Sequence, residues 1–301
     1  MPKYGNPKLI AQAKETQHIV ESLIPKIKDP VAARSLGLAR KYDLTTIPRQ
    51  SQANCPQHKP TKINVINDDT INAALRITIS KGENRPLIVN FANAGLPGGG
   101  WLSGHVAQEE CIAYRSSLWL GITKTDKNGS SVHYPMNAGD EAEALYSPLL
   151  LVVRDDMESD HKVWEFKTPE EYPTVSCVTI AADRGPETVK TVIEPGGKEV
   201  DVFKHDSERE RAKQNMRLVL RIAQKHGHEH LVLGALGCGV YKNPVEDVAQ
   251  CWVEVLDEHE FHHGWWKTVI FAVYDPKALV NGKKKGSNLE VFERVLDEIE
   301  V

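Results

Sequence analysis

The chain lacks long apolar runs. No stretch approaches the roughly 20 apolar residues that a bilayer-spanning helix needs. The first residues, MPKYGNPKLIAQAKE, also lack the apolar core of a secretory signal. The sequence therefore predicts an intracellular protein, in the cytoplasm or the nucleus, with no membrane partner.

An excess of basic charge is also missing, since the net charge is −4. Proteins that bind DNA or RNA without sequence preference neutralise phosphates with a clustered basic surface. We therefore expect no direct DNA binding. Any anionic ligand must be held locally, by backbone amides.

Cysteine is sparse, and its pattern does not indicate disulfides. The five cysteines are an odd number at wide spacing: Cys55, Cys111, Cys177, Cys238 and Cys251. Free thiols in a reducing compartment are the expected state. Cys55 and His58 form half of a zinc site, but no nearby residues supply the other half, so loop composition explains them better.

What the chain does contain is an ordinary globular composition, with 41% hydrophobic and 26% charged residues in 301. This length allows one enlarged domain or two small ones. A helical pattern with proline breaks covers 7–40, and a polar, proline-punctuated connection follows as far as 61. We therefore predict an N-terminal helical extension and linker over 1–60 and a main domain over 61–301.

Strand and helix patterns alternate in the main domain. Strands are predicted at 62–66, 86–91, 148–154, 174–181, 231–236 and 268–274, and helices at 70–79, 107–120, 207–225, 245–257 and 288–300. This alternation predicts an α/β domain with helices on both faces of a sheet. The stretch 183–206 interrupts the pattern with prolines, glycines and mixed charges, which indicates a surface insertion.

The most informative stretch, 90–120, reads NFANAGLPGGGWLSGHVAQEECIAYRSSLWL. An apolar run ends in a loop with a glycine triplet, and a helix start with two glutamates follows. Glycine triplets occur where the backbone turns sharply or approaches another group closely. Free N–H groups and the positive end of a helix dipole make such a loop suitable for anions. The alternatives are a plain glycine turn and glutamates that merely suit the first turn of a helix.

The string PGGG, followed after a short spacer by AQEE and then RSSL, resembles the signature of microbial-type poly(ADP-ribose) glycohydrolases, which are catalytic members of the macrodomain superfamily. Gly98 to Gly100 and Gln108 to Glu110 match that signature. A second block, GALGCGVY at 234–241, is similar to the family's other phosphate loop. The resemblance implies a three-layer α/β/α macrodomain-like fold with a mixed central sheet, and this agrees with the predicted strands and helices.

The resemblance also implies residue roles. The second glutamate of QEE is catalytic in the family, which carries over to Glu110, and the first, Glu109, helps to hold the ribose. Hydrolysis of an O-glycosidic bond needs a proton donor and stabilisation of an oxocarbenium-like transition state. Two adjacent carboxylates raise the pKa of one of them, which keeps a proton available near neutral pH. Asn93 and Gln108 are candidate substrate-binding residues by their positions in the match.

Two loops are expected to bind the phosphates of ADP-ribose. The amides of the first loop would reach one phosphate, and those of the second loop would surround the other. The residues are Gly98, Gly99 and Gly100 in the first loop and Gly237, Cys238, Gly239 and Val240 in the second. Tyr241 would stack on the distal ribose. A tight strand-to-helix turn is the alternative for the second loop. Where family members tend to carry a proline-asparagine pair, this chain has ADRG at 182–185.

Other motifs are weaker. His259, Glu260 and His263 spell H-E-x-x-H, which binds zinc only when both histidines share a face of a stable helix with a third ligand nearby. Gly264 follows at once, and no third ligand is suitably spaced. The first glycine loop is not G-x-G-x-x-G, and no Gly-Lys-Ser/Thr follows it. The basic run at 283–285 indicates a solvated tail. No metal or organic cofactor is predicted.

The sequence thus predicts a poly(ADP-ribose) glycohydrolase, a glycosidase that releases ADP-ribose with Glu110 as general acid and then base. Two alternatives stay open: a hydrolase of the same fold that acts on mono-ADP-ribosylated targets, and a non-catalytic ADP-ribose-binding module. The expected partners are poly(ADP-ribose) or ADP-ribosylated protein, with ADP-ribose as the product. A monomer is expected.

Overall fold

The computed structural model describes residues 5–79, 84–136, 141–192, 199–262, 264–281, 284 and 286–301. The α-helices are α1 (Pro7–Leu23), α2 (Pro30–Ser35), α3 (Thr70–Leu75), α4 (Gln108–Arg115), α5 (Leu118–Ile122), α6 (Asp206–Lys225), α7 (Val245–Leu256), α8 (Pro276–Asn281) and α9 (Asn288–Leu296). The strands are β1 (Arg40–Asp43), β2 (Ile63–Ile66), β3 (Leu87–Phe91), β4 (Glu143–Leu151), β5 (Thr174–Ile180), β6 (Thr188–Val192), β7 (Glu199–Phe203), β8 (His230–Leu233) and β9 (Thr268–Ala272). In the described part of the chain, no helix is long and apolar enough to cross a membrane.

Seven strands within these ranges form one mixed sheet in the order β1-β4-β5-β3-β8-β9-β2, and β6 and β7 form a separate hairpin. The pairs β3–β8, β8–β9 and β2–β9 are parallel. The pair β4–β5 is antiparallel, with a register shift between Ser147 and Leu150. Strands of parallel sheets are buried on both faces, which is why the short runs of β8 and β9 are almost wholly apolar. The predicted α/β fold with a mixed central sheet is confirmed.

The described chain divides into two compact units. The first contains 1–41, 90–136 and 144–181, and the second contains 42–89, 137–143 and 182–301. Both units are therefore assembled from separate stretches of sequence. The expected division into an extension over 1–60 and a catalytic domain over 61–301 stays a prediction.

In the first unit, helix α1 belongs to the hydrophobic core. Leu9 and Ala13 pack with the buried rings of Trp101 and Tyr114. The side chain of Arg154, which is 1% exposed, donates a 2.7 Å hydrogen bond to Thr16 Oγ1. Removing one partner of such a buried polar contact is costly, so α1 is firmly attached to this unit.

In the second unit, helices α7 and α9 pack against β9. The ring of Phe271 lies 5.4 Å from that of Trp252 on α7 and 5.8 Å from that of Phe292 on α9. The apolar residues of α7 recur at intervals of three and four, so they share one buried face. The predicted helix from Val245 is confirmed.

Some predicted element boundaries were wrong. The helix predicted over 107–120 ends at Arg115 and restarts at Leu118, because two serine hydroxyls bind backbone groups in the gap. Ser116 Oγ donates to the carbonyl of Ile112 at 2.8 Å, and Ser117 Oγ accepts from the amide of Leu151 at 2.9 Å. Strand β4 begins at residue 143, earlier than the predicted 148.

The N-terminal helical pattern is also divided, since α1 ends at Leu23 and α2 begins at Pro30. Prolines cannot donate the interior hydrogen bonds of a helix, which explains the break. The predicted insertion contains the β6–β7 hairpin, and every residue of β6 is exposed. The prediction of a surface position is confirmed for β6, and residues 193–198 of the insertion lie outside the described residues.

Candidate active site

Two polar contacts fix the loop that joins β3 to α4. The side chain of Gln108, the first residue of α4, accepts a 2.9 Å hydrogen bond from the amide of Phe91, the last residue of β3. The next amide, that of Ala92, donates to the carbonyl of Ile180 at the end of β5. Glu109 and Glu110 therefore enter the first turn of α4 from a fixed strand end.

Glu109 is 3% exposed, and its carboxylate is held by three N–H donors. Oε2 accepts from the amide of Asn93 at 2.7 Å. Oε1 accepts from the amide of Gly98 at 3.1 Å and from Nδ2 of Asn90 at 3.3 Å. This side chain has little freedom to change its position.

Burial raises the pKa of Glu109 to about 8, and the neighbouring Glu110 carboxylate adds to the increase. The hydrogen bonds from Asn93, Asn90 and Gly98 oppose it. From the sequence, the proximity of two carboxylates was the expected cause of a raised pKa. In the structure, loss of solvent is the larger cause, because the charged form is disfavoured in a buried site.

Glu110 is 8% exposed and is held on one side only. Its Oε1 accepts a 2.7 Å hydrogen bond from the amide of Gly100. Its Oε2 is buried and has no hydrogen-bond partner within the described ranges. One oxygen is therefore fixed by the protein, while the other is left for a group that the protein does not supply.

The glycine triplet holds these carboxylates. The amides of Gly98 and Gly100 donate to Glu109 and Glu110, and that of Gly99 donates to the carbonyl of Leu96 at 2.9 Å. All three amides were predicted to bind a phosphate, but in this structure each already has an acceptor inside the protein. Phosphate binding by this triplet stays a prediction. The hydrogen bonds that its amides make within the protein do not favour it.

The geometry at Gly99 explains why a glycine is needed there. Its φ is +59°, in the left-handed region that side chains disfavour. A Cβ at this position would collide with Glu110 Oε1, and it would lie 2.9 Å from Glu110 Cδ and 3.1 Å from Glu109 Oε2. Both carboxylates therefore lie against a backbone surface that only glycine leaves open.

The side chain of Asn93 shapes the loop. Its Oδ1 accepts from the amides of Gly95 and Leu96 at 2.9 and 3.0 Å. The expected ribose contacts of Asn93 and Gln108 stay predictions, since both side-chain oxygens already accept from the backbone.

Sequence reasoning missed two residues that support the site. Asn90 is fully buried, and its Nδ2 contacts Glu109 Oε1 and Thr179 Oγ1, both at 3.3 Å. Tyr114 lies one turn beyond Glu110, and its hydroxyl contacts the carbonyls of Trp101 and His105 at 2.8 and 2.9 Å. An asparagine within the apolar run LIVNF was the one available sequence signal for Asn90.

The second loop, 234–243, belongs to the second unit and follows β8. Within the described residues, the amides of Gly237, Gly239 and Val240 have no hydrogen-bond acceptor. Gly239 is exposed, and Val240 is 56% exposed. The amide of Cys238 donates to the carbonyl of Ala235 at 3.1 Å, so it is not among the available donors.

Asn243, which sequence reasoning also missed, determines the shape of this loop. Its Nδ2 lies 2.8 Å from the carbonyl of Asp183 and 3.2 Å from that of Gly237. A Cβ on Gly237, whose φ is +77°, would lie 2.7 Å from the side chain of Asn243 and 2.8 Å from Cβ of Ala182. The loop is thus a fixed turn with unpaired amides, a geometry that suits anions.

Two family models match parts of this chain. The family model of the microbial-type poly(ADP-ribose) glycohydrolase (PARG) catalytic domain matches residues 13–155. Over this region the chain resembles the microbial-type PARG family. The model of the Macro domain matches residues 162–252. No match to a curated protein was found.

The chain is also similar to solved bacterial PARG structures. The Thermomonospora curvata PARG bound to the inhibitor ADP-HPD is 25% identical with a TM-score of 0.70, and the comparison covers 96% of this chain and 99% of that one. A second T. curvata PARG structure is 26% identical, with the same TM-score and coverage. The Deinococcus radiodurans PARG in complex with ADP-ribose, at 23% identity and a TM-score of 0.65, covers 90% of this chain and 98% of that one and shows the shared fold.

The described part of the H-E-x-x-H motif does not lie on a helix. Helix α7 ends at Leu256, and His259 and Glu260 lie in the turn that follows. The carboxylate of Glu260 pairs with Arg221 through two hydrogen bonds of 2.8 and 3.0 Å. His263 and two lysines of the basic run, Lys283 and Lys285, lie outside the described residues.

Proposed function

We propose that this protein is a poly(ADP-ribose) glycohydrolase that hydrolyses the ribose–ribose O-glycosidic bond and releases ADP-ribose, with Glu110 as the general acid and then the general base. The observation that carries the proposal is the asymmetric setting of Glu110. The Gly100 amide fixes Oε1 at 2.7 Å, whereas the buried Oε2 has no partner in the described structure. A general acid needs such an oriented and unoccupied oxygen.

The proton for the leaving oxygen is supplied by the carboxylate pair. Burial raises the pKa of Glu109 to about 8. We propose that Glu110 delivers the proton to the leaving oxygen through Oε2. Glu110 then accepts a proton from the attacking water in the second half of the reaction.

Glu109 is a holding group for the ribose. Three N–H donors fix its carboxylate, so it stays in place while charge develops on the sugar. Fixed dipoles need no reorganisation during the reaction, which is how they stabilise a transition state. The second loop binds a phosphate through the unpaired amides of Gly237, Gly239 and Val240, and Tyr241 contacts the distal ribose.

The two alternative functions differ in their need for the carboxylates. A hydrolase of mono-ADP-ribosylated targets would use the same carboxylates, and a binding module would need none of them. The buried pair disfavours the binding module. Burying two carboxylates costs stability, and a module that only binds ADP-ribose does not need them. We also propose that the protein is an intracellular monomer that does not bind DNA directly.

The test of substrate class uses the full chain. It is incubated first with purified poly(ADP-ribose) and then with a mono-ADP-ribosylated protein, and released ADP-ribose is measured by chromatography. The proposal expects release from the polymer. Release from the mono-ADP-ribosylated protein alone would favour the first alternative, and tight ADP-ribose binding without release from either substrate would favour the second.

A further inference from the structure

Arg184 is an exposed cation with no carboxylate partner in the described part of the second unit. Several other arginines of this unit pair with carboxylates: Arg209 with Asp247 and Glu254, Arg211 with Asp183, Arg217 with Glu258, Arg221 with Glu260 and Arg294 with Glu246. The nearest carboxylate in sequence, that of Asp183, is held by Nε and Nη2 of Arg211 at 2.9 and 2.6 Å. Within the described residues, the charge of Arg184 therefore has no protein counter-ion.

Three contacts place Arg184 beside the second loop. The amide of Gly185 donates to the carbonyl of Tyr241 at 2.8 Å. Nδ2 of Asn243 lies 2.8 Å from the carbonyl of Asp183. The guanidinium carbon of Arg184 lies 6.0 Å from the ring centroid of Tyr241, within the range of a cation–π contact. Backbone contacts on both sides of Arg184 thus fix the origin of its side chain.

The surroundings of Arg184 suit a phosphate. The same loop exposes the unpaired amides of Gly239 and Val240. A guanidinium presents its donors in a planar fork that matches two oxygens of a phosphate. The guanidinium adds a positive charge beside these amides, in a protein whose net charge is −4.

We propose that Arg184 is a further substrate-binding residue, which contacts a phosphate of the ADP-ribose unit held by the amides of Gly237, Gly239 and Val240. The inference rests on the proposed function, since ADP-ribose is the ligand assumed for that loop. It assigns a charged contact to the ADRG segment, where family members tend to carry proline and asparagine.

The test measures affinity rather than turnover. Wild type, Arg184→Ala and Arg184→Lys are titrated calorimetrically with ADP-ribose and with adenosine, which carries no phosphate. Arg184→Ala should bind ADP-ribose at least about tenfold more weakly in low salt, and the difference should shrink as salt is added. Adenosine affinity should not change. Arg184→Lys should recover part of the loss, because it keeps the charge but not the planar fork.

Lys225→Ala is the matched control. It also removes one exposed positive charge, and Lys225 lies at the far end of α6, fourteen residues from Arg211. At 1.5 Å per residue this is about 20 Å along the helix. A general charge effect would weaken ADP-ribose binding in both alanine variants, whereas the proposed contact weakens it only in Arg184→Ala.

The outcomes separate this inference from the proposed function. Wild-type ADP-ribose affinity in a folded Arg184→Ala protein would overturn the role of Arg184 and leave the glycohydrolase proposal intact. Failure of the wild type to cleave polymer would overturn the glycohydrolase proposal, while the titrations would still decide the role of Arg184. A wild type that does not bind ADP-ribose at all would overturn both.

Discussion

Gly99→Ala should inactivate the enzyme without unfolding it. The new Cβ would lie 2.9 Å from Glu110 Cδ, and Glu110 Oε1 is closer still. Ordinary contact between carbon atoms begins near 3.5 Å, so the carboxylate must retreat by at least about half an ångström. That movement pulls Oε1 away from the Gly100 amide, its one hydrogen-bond donor in the described structure.

The rate effect follows from the precision that proton transfer requires. A displacement of about 1 Å in a reacting group can cost about 10²-fold in rate. Since the carboxylate retreats by at least about half that distance, we expect kcat for ADP-ribose release to fall by about tenfold to 10²-fold. The stability effect is separate, because alanine at a φ of +59° costs about 1–2 kcal/mol.

Gly129→Ala is the control for backbone strain. Its φ is +79°, and a Cβ there would meet nothing within 4 Å. Both variants should lose stability in thermal melts, Gly99→Ala by more because it also breaks the hydrogen bond to Glu110, but only Gly99→Ala should lose activity. A folded Gly99→Ala protein with the kcat of the wild type would refute the argument that this glycine makes room for the carboxylates.

Three further predictions concern proton binding, the second loop and metals. The pKa of Glu109 is about 8 in the folded state and near 4.5 in the unfolded state. Between about pH 4.5 and pH 8 the folded state therefore binds more protons than the unfolded state, so the free energy of unfolding should fall as pH rises through that range. Melting curves of Glu109→Gln across that range should show a weaker dependence, and an unchanged slope would contradict the assignment. Gly237→Ala places a Cβ 2.7 Å from Asn243 and should weaken ADP-ribose binding, measured by calorimetry, at least about tenfold. Wild-type affinity in this variant would mean that the phosphate does not bind at this loop. Activity should survive EDTA, since neither the proposed acid nor the amides need a metal ion, and loss of activity with rescue by zinc would contradict this.

The sequence predicted the fold well because its elements carry local signals. Strands β8 and β9 are short apolar runs, and the apolar period of α7 continues to its end. The break between α4 and α5 escaped prediction because it depends on Ser117, whose hydroxyl binds the distant backbone of Leu151. Only the fold brings those residues together.

The site was predicted in its residues but only partly in its contacts. The glycine triplet and the adjacent glutamates are visible in the sequence, yet their direct hydrogen bonds are not. The amides of a glycine triplet can bind either the glutamates of the QEE signature or a phosphate. Which of these they bind depends on the acceptor that the fold places near each amide. Asn90 and Asn243 lie far in sequence from some of the groups they contact, such as Thr179 and Asp183, so no local pattern identified them.

The most direct test of the proposed mechanism is the Glu110→Gln variant. The amide keeps the shape of the side chain but cannot donate an acidic proton, so ADP-ribose release from poly(ADP-ribose) should fall by at least about 10²-fold to 10⁴-fold. Affinity for ADP-ribose, measured by calorimetry on the same preparation, should stay close to that of the wild type. Release of ADP-ribose by Glu110→Gln at the wild-type rate would contradict the assignment of Glu110 as the general acid.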